Sequence, residues 1–418
     1  MTKTILFSLL TVCISSCATK QKGHSEEFIR TQNELTEKLR EVSRHTVFNG
    51  FGVALTNDKE VLYQNGFGLS NAETGEKYTE NTIQNIASVS KTFIGIAILK
   101  AMESGKLKLD DPISKYLPFN VENPKFKNIP ITIRHLVTHT SSIHDNEEYL
   151  SRAWVLFDTV NLEKNLKIDI GVCKFSAPST EVSMEEFLIN VLTEKGKWFK
   201  ANTFSDYQPG QIFEYSNMGA TLAALVLEKA TGQKFDEFTE QHIMQPLKME
   251  STGWGLRSID IKKHSRLYID KKTAYPFYMC VTYPDGSIIT SSNDMSKYIL
   301  ELMKGYTGNG TLLSKDSYKE FFTPQLKPEN FIDRDTSEFG DYNIGIIMSF
   351  GPTGNFGHFG GDPGLFSVIY FDKEKKTGKY YITNTDADGK ESGKYHGQIV
   401  GLLDEYAVKL DKLSKSGN

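Results

Sequence analysis

Three short stretches of this chain hold side chains able to turn a hydroxyl into a nucleophile. The first is Ser88-Val89-Ser90-Lys91, the only S-x-x-K in the sequence, followed by the apolar run Ile94 to Met102. With that run helical, Ser88 sits in its first turn. Residues three apart on a helix share a face, with Cβ atoms ~5–6 Å apart. The Lys91 amine then reaches the Ser88 hydroxyl, as a proton acceptor or as a field that lowers its pKa. The helix N-terminus adds roughly half a positive charge near the place where an oxyanion would form. An activated nucleophile needs this arrangement. A helix start also favours serine as a cap and lysine on its surface, so the motif gains its weight from the apolar run behind it. Phe93-Ile94, Ile96 to Leu99 and Met102 are apolar enough to be buried, which puts the hydroxyl at the edge of a core.

The second stretch is Tyr215-Ser216-Asn217, behind the turn Pro209-Gly210 and ahead of a helical run from about Met218 to Thr231 that stops at Gly232. Tyr63-Gln64-Asn65 has the same Y-x-N form. Tyr63 lies inside an alternating strand, whereas Tyr215 lies at a loop-to-helix junction, from which side chains reach a cleft. The third is Gly357-His358-Phe359-Gly360-Gly361, before the β-branched run Leu365 to Phe371. Consecutive glycines let another backbone approach closely. Lys376-Thr377-Gly378 competes with it as a literal K-T-G, but falls in a charged turn between two strands, and a hairpin tip is poorly placed to line a cleft. His135 and His139 stand four apart, as in a zinc helix, yet Leu136 occupies the place of the glutamate in H-E-x-x-H, so no metal is expected.

Around these stretches the expected elements fall in order. A helix covers about 27–42, and a hairpin at 47–69 turns at Thr56-Asn57-Asp58-Lys59. The nucleophile helix ends near Gly105, and Asp110-Asp111-Pro112 opens a short helix. Residues 145–206 are less patterned, and no chemistry is assigned there. The 418 residues carry a formal charge of −4 with mixed signs, 39% hydrophobic and 11% aromatic, enough for sizeable cores and with no basic tract to suggest nucleic acid.

The N-terminus reads as a targeting segment: Lys3, the apolar Ile5 to Val12, then Ile14-Ser15-Ser16-Cys17. The last four resemble the lipobox of bacterial lipoproteins, so residues 1–17 are expected to be a lipoprotein signal peptide and Cys17 the lipidated mature N-terminus. The apolar stretch is short for a transmembrane helix. Residues 18–26 read as a tether, and Ala18 leans, by analogy, towards the outer membrane. Processing would leave Cys173 and Cys280, whose pairing the sequence leaves open.

Together, Ser88-Val89-Ser90-Lys91, Tyr215-Ser216-Asn217 and His358-Phe359-Gly360 resemble the three ordered motifs of the serine β-lactamase-like family. That family holds class C β-lactamases, D,D-peptidases, D-aminopeptidases and esterases. Asp110-Asp111-Pro112, Leu136-Val137-Thr138-His139-Thr140-Ser141 and Pro209-Gly210 support the likeness, which spans about residues 30–410. It implies an α/β fold of the α+β type: a mainly antiparallel sheet flanked by helices, plus an all-helical lobe of about 95–270 inserted in a domain of 27–412. The 47–69 hairpin would join strands from 343–385, with the end helices on that sheet and a cleft between the lobes.

The resemblance also implies an enzyme, a serine hydrolase working through an acyl-enzyme on a peptide, amide or ester. Ser88 would attack, Lys91 and Tyr215 would share the proton, and Asn217 would orient Lys91 and the substrate amide. The N–H groups of Ser88 and Gly361 would hold the oxyanion, with His358 and Gly360 beside the substrate. His358 stands where the lactamases have lysine, which favours D-peptidase or esterase chemistry over efficient β-lactam turnover. The alternative is a non-turnover, penicillin-binding, sensor-like protein acylated at the same serine. No cofactor is expected. The expected partners are a small-molecule or peptide substrate and, through the lipid anchor, a membrane of the cell envelope, facing the periplasm.

Overall fold

The computed structural model describes residues 24–332, 342–351, 355–386 and 389–416. The signal peptide, Cys17 and most of the tether therefore lie outside the described residues. One eight-stranded antiparallel sheet organises the fold. From edge to edge it runs Asn343–Ile344, Ser349–Phe350, Phe356–Asp362, Leu365–Asp372, Thr377–Thr383, Gly50–Thr56, Val61–Asn71 and Glu76–Lys77. The N-terminal hairpin is thus zipped onto the C-terminal strands, with Phe51 opposite Thr383 and Thr56 opposite Gly378.

The two end helices cover one face of this sheet. Glu26–His45 starts at Ser25, whose hydroxyl accepts from the Phe28 N–H. It buries Phe28, Thr31, Leu35 and Leu39, spaced three and four apart as a single helical stripe requires. Lys390–Ser416 answers with Ile399, Leu403, Tyr406 and Leu410, and both pack on Phe51, Val53 and Leu55. The opposite face carries Ser292–Tyr306 and the larger core. Strand Gly50–Thr56, covered on both sides, is buried at every position, which explains its unbroken apolar character.

Helix Lys91–Glu103 runs through the larger core, with ten of its thirteen residues buried, as a helix that is apolar all round must be. Phe93 stacks on Tyr298 at 4.1 Å. Helices Asn217–Thr231, Met184–Leu192 and Ile133–Val137 belong to the same core. The lobe at 95–270 contains strands as well as helices. Trp154–Leu156 pairs with Phe175–Ser176 on one side and with Tyr278–Cys280 on the other. These strands are two or three residues long, too short for any periodicity to show in the sequence. Cys173 and Cys280 are both free.

A second difference concerns Ser88, the expected nucleophile. Ser88 is not in the first turn of the α-helix; it sits in a separate 3₁₀ turn, Ala87–Ser90, that leads into it. Ala87 enters that turn with φ of 45°, a left-handed conformation costly for a residue with a Cβ.

Candidate active site

The strained turn is fastened to two strands. Ile86 donates its N–H to Ile288 O at 3.0 Å, and its own carbonyl accepts from Ser367 Oγ at 2.6 Å. Ser90 Oγ accepts from the Ile288 N–H at 3.1 Å. These bonds fix the direction in which Ser88 leaves the backbone. Lys91 follows within the turn's own geometry and is wholly buried, with Nζ 2.8 Å from Ser88 Oγ and 2.6 Å from the Asp285 carbonyl oxygen. Burial opposes its charge, but the Tyr215 phenol and the Asp285 and Asp145 carboxylates outweigh that, so its pKa lies above the ordinary lysine value. Lys91 is therefore an ammonium that donates to the serine oxygen and favours its ionised form.

Tyr215 arrives from the other lobe. Its ring centroid is 5.2 Å from Lys91 Nζ, and its side chain is exposed to the cleft. The placement is built from both flanks. His139 packs its ring 4.4 Å from that of Tyr215, its Nδ1 accepts from the Ser216 N–H at 3.2 Å, and its carbonyl accepts from the Glu214 N–H at 2.8 Å. Burial and nearby Lys91 hold His139 well below the usual histidine range, so it stays neutral. Just beyond, Asn217–Thr231 begins, and Asp145 closes its N-terminus. Its carboxylate accepts from the Asn217 N–H (2.7 Å), the Met218 N–H (3.0 Å) and Ser216 Oγ (3.1 Å). An anion there satisfies orphan donors and the helix dipole together. Asn217 is engaged through its backbone. Lys91 is oriented by Ser88 and the Asp285 carbonyl, with no hydrogen bond from Asn217 among the described residues.

Strand Phe356–Asp362 forms the third wall. His358 and Gly360 face inward, while Phe359 and Gly361 face solvent. On one side it pairs along its length with Leu365–Asp372. On the other, Ser349–Phe350 reaches only Gly357 and Phe356, which leaves the edge from His358 onward open to an extended ligand. Gly360 lies against the turn that carries Ser88: a Cβ there would sit 2.7 Å from both Ser88 N and Ile86 O. Gly361 has open space at its Cα. His358 is buried 6.3 Å, ring to ring, from Tyr215, and its Nδ1–H donates to Phe359 O at 2.8 Å. Burial, helped by Lys91, pushes its pKa down to about 3, so the ring carries no charge at neutral pH.

The competing motifs go elsewhere. Lys376-Thr377-Gly378 lies at a hairpin tip, with Thr377 opposite Asp372. Ser367, opposite Gly360, is five residues further along the strand, roughly 17 Å away at the usual strand rise. Tyr63 is buried and hydrogen-bonds Thr36 at 2.8 Å. His135 Nδ1 accepts from the Thr132 N–H, a helix cap. No group of three metal-ligating side chains occurs among the described residues.

A family model described as Beta-lactamase matches residues 35–400. The chain belongs to the beta-lactamase family. Penicillin-binding protein 4* of Bacillus subtilis (strain 168) is 24% identical over 362 residues, covering 82% of this chain and 69% of that protein. Protein flp of Staphylococcus aureus (strain MW2) is 24% identical over 279 residues; the match covers 65% of this chain and about half, 49%, of flp. The D-amino acid amidase from Ochrobactrum anthropi SV3, solved in complex with L-phenylalanine, superposes with a TM-score of 0.65. It is 19% identical, covering 89% of this chain and 99% of that one, a likeness of fold.

In this beta-lactamase-family chain the structure joins Ser88, Lys91, Tyr215, His358, Gly360 and Gly361 around one cleft. Within 145–206, where the sequence assigned no chemistry, Asp145 holds the helix that starts beside Tyr215. The roles of His139, Asp145 and Asp285 escaped the sequence reading because each acts across the fold. The one local signal was the helix start at Ser216-Asn217, whose orphan N–H groups need an acceptor.

Proposed function

We propose that this chain is a serine hydrolase that cleaves an amide, peptide or ester through an acyl-enzyme on Ser88. The observation that carries the reading is the 2.8 Å contact between Ser88 Oγ and the buried Lys91 ammonium, with the Tyr215 ring 5.2 Å from that nitrogen. Ser88 Oγ attacks the carbonyl carbon. With Lys91 already an ammonium, the Tyr215 oxygen acts as the base in its phenolate form: it takes the serine proton, becoming a phenol, and then gives that proton to the leaving amine or alkoxide. The N–H groups of Ser88 and Gly361 receive the carbonyl oxygen as it becomes negative. Water, activated by the same Tyr215 oxygen, then attacks the ester and frees Ser88. Asn217 and the open strand edge from His358 to Gly361 hold the substrate backbone.

The neutral His358 supports an amidase, aminopeptidase or esterase rather than an efficient β-lactamase, because it offers a substrate carboxylate no fixed positive charge. The amidase name of the solved structure agrees with this reading. The penicillin-binding name of the Bacillus relative favours a second one, in which Ser88 is acylated and stays so. Turnover of a p-nitrophenyl ester and of a D-amino acid amide by the form lacking residues 1–17 separates the two. Sustained release abolished by Ser88→Ala supports the hydrolase; a single, lasting adduct supports the sensor.

The lipobox-like Ile14-Ser15-Ser16-Cys17 supports a lipid anchor at Cys17 and a place in the cell envelope, at the outer membrane facing the periplasm. Cys17→Ser is expected to move the protein from the membrane to the soluble fraction; an unchanged membrane fraction would contradict the anchor. Among the described residues no helix is long and apolar enough to cross a membrane.

A further inference from the structure

Asp285 turns its backbone to the Ser88–Lys91 pair and its side chain to the helical lobe. Its carbonyl oxygen accepts from Lys91 Nζ at 2.6 Å. Its carboxylate is buried, and a single oxygen, Oδ2, accepts from the Tyr149 hydroxyl at 3.2 Å and from Thr221 Oγ1 at 3.1 Å. Tyr149 lies on the short helix Glu147–Leu150, and Thr221 on Asn217–Thr231, the helix that starts beside Tyr215. The residue is also fixed along its own segment. It closes the 3₁₀ turn Tyr283–Asp285, and its N–H donates to the Thr282 carbonyl at 3.0 Å. Ile288, just beyond, fastens Ile86 and Ser90. One buried acid thus joins the amine beside Ser88 to the helix whose start carries Tyr215.

Covalent geometry also places the charge. Four bonds separate the carbonyl oxygen from the carboxyl carbon of Asp285, so that carbon lies within about 7 Å of Lys91 Nζ. The two bonds to Oδ2 come from neutral hydroxyls, which leave the carboxylate its negative charge. Burial pushes its carboxyl up to about 6 against the pull of Lys91, so it is ionised above that pH. The other ionisable groups turned towards Lys91 are Tyr215, Asp145, His358 and Asp362, with His139 behind Tyr215. Those facing Asp285, besides Lys91, are Asp145, Asp362, Tyr149 and Cys280. Both histidines are neutral, and Asp145 is committed to the Asn217 and Met218 N–H groups and the Ser216 hydroxyl. We propose that Asp285 is a positioning residue for acylation: its carboxylate holds Lys91 as an ammonium, and its bonds to Tyr149 and Thr221 fix the carbonyl that aims this ammonium at Ser88. This rests on the hydrolase reading and deepens it, since the charge beside the nucleophile is then set by a buried acid outside the three motif stretches.

Because both bonds fall on Oδ2, Asp285→Asn keeps them on its amide oxygen and removes only the charge. The double variant Tyr149→Phe, Thr221→Val does the reverse. The test follows the rate at which a fluorophosphonate labels Ser88 across the neutral and alkaline range, each protein read against its own plateau and checked by circular dichroism at every pH. Labelling slows on the alkaline side as Lys91 loses its proton. In Asp285→Asn the midpoint of that fall is expected to move to lower pH by about one to two units, the scale of one charge removed at that distance. A variant that falls within the range of folded protein while the wild type does not counts as the same shift. The double variant is expected to lower the plateau at least about threefold and to leave the midpoint within about half a unit of wild type. An Asp285→Asn midpoint equal to the wild-type one, with only the plateau lowered, makes the residue merely structural and overturns the proposal. If Asp285→Asn does not fold, Asp285→Ala is read in its place; if neither folds, the double variant decides, and a wild-type plateau there overturns the proposal. Failure of wild-type Ser88 to label at all would sink the hydrolase reading instead, and the role of Asp285 with it.

Discussion

Replacing Gly360 by alanine tests whether the strand beside Ser88 must touch the nucleophile turn. The added Cβ would meet Ser88 N and Ile86 O at 2.7 Å and Ser367 Oγ at 2.8 Å. Non-bonded atoms in contact sit roughly 3.5 Å apart, so the strand would have to retreat by on the order of 0.7 Å. Two of the three obstacles are backbone atoms of the pinned turn, and the third, Ser367, is itself bonded to Ile86 O. None can swing aside. An oxyanion donor works only within 2.7–3.1 Å of the oxygen, roughly, and losing one such donor costs about 10²–10³ in kcat, or ~3–4 kcal/mol. Overpacking adds a stability cost of about 1–3 kcal/mol. Gly361→Ala is the contrast: its Cβ meets nothing within 4 Å, its backbone N–H is kept, and a loss of less than about tenfold is expected. Steady-state hydrolysis of a p-nitrophenyl ester, with urea unfolding of each variant, reads both effects. A Gly360→Ala enzyme within tenfold of wild type and equally stable would refute the reasoning, as would Gly361→Ala losing just as much.

Lys91→Ala should leave the protein folded and slow acylation by about 10²–10⁴-fold, followed by stopped-flow release of p-nitrophenol; near-normal acylation would remove Lys91 from its role. Asp145→Asn replaces a carboxylate oxygen facing a helix N–H with a second donor, so a loss of about 1–3 kcal/mol in urea unfolding and a lower kcat are expected, because the helix start beside Tyr215 loosens. Full stability and activity would show that the helix is held otherwise. His264, buried against Asn85, has its pKa pushed down to about 4 by burial, below the unfolded value near 6.5. The unfolded chain then binds the extra proton between these values, so His264 contributes stability above pH 6.5 that is lost on acidification towards pH 4. His264→Gln should flatten that limb by up to about 1.4 kcal/mol per pH unit relative to wild type; parallel limbs would contradict the assignment.

Which features were legible in the sequence depended on the reach of each interaction. The Ser88–Lys91 pair was legible because helical spacing is local, and Tyr215 could be told from Tyr63 because one residue sits at a junction and the other inside a strand. That the hairpin read at 47–69 joins strands from 343–385 followed from the resemblance, and the hairpin itself from alternation and its turn. The 3₁₀ turn under Ser88 was not legible, since the fastening comes from Ile288 and Ser367, hundreds of residues downstream. Asp145 bonds a helix start 72 residues away, and Asp285 meets Lys91 through a carbonyl, a group every residue carries. The strands at Trp154–Leu156 and Phe175–Ser176 are stabilised by each other and by Tyr278–Cys280, and alone they have no pattern.

The most direct measurement is the chemical location of the acyl group during turnover. Quenching the reaction with a p-nitrophenyl ester inside its first cycle and mapping the peptide masses should place one acyl group on the oxygen of Ser88, with none in Ser88→Ala. A lysine adduct at residue 91, acylation at another serine, or turnover that proceeds with no covalent intermediate would contradict the account.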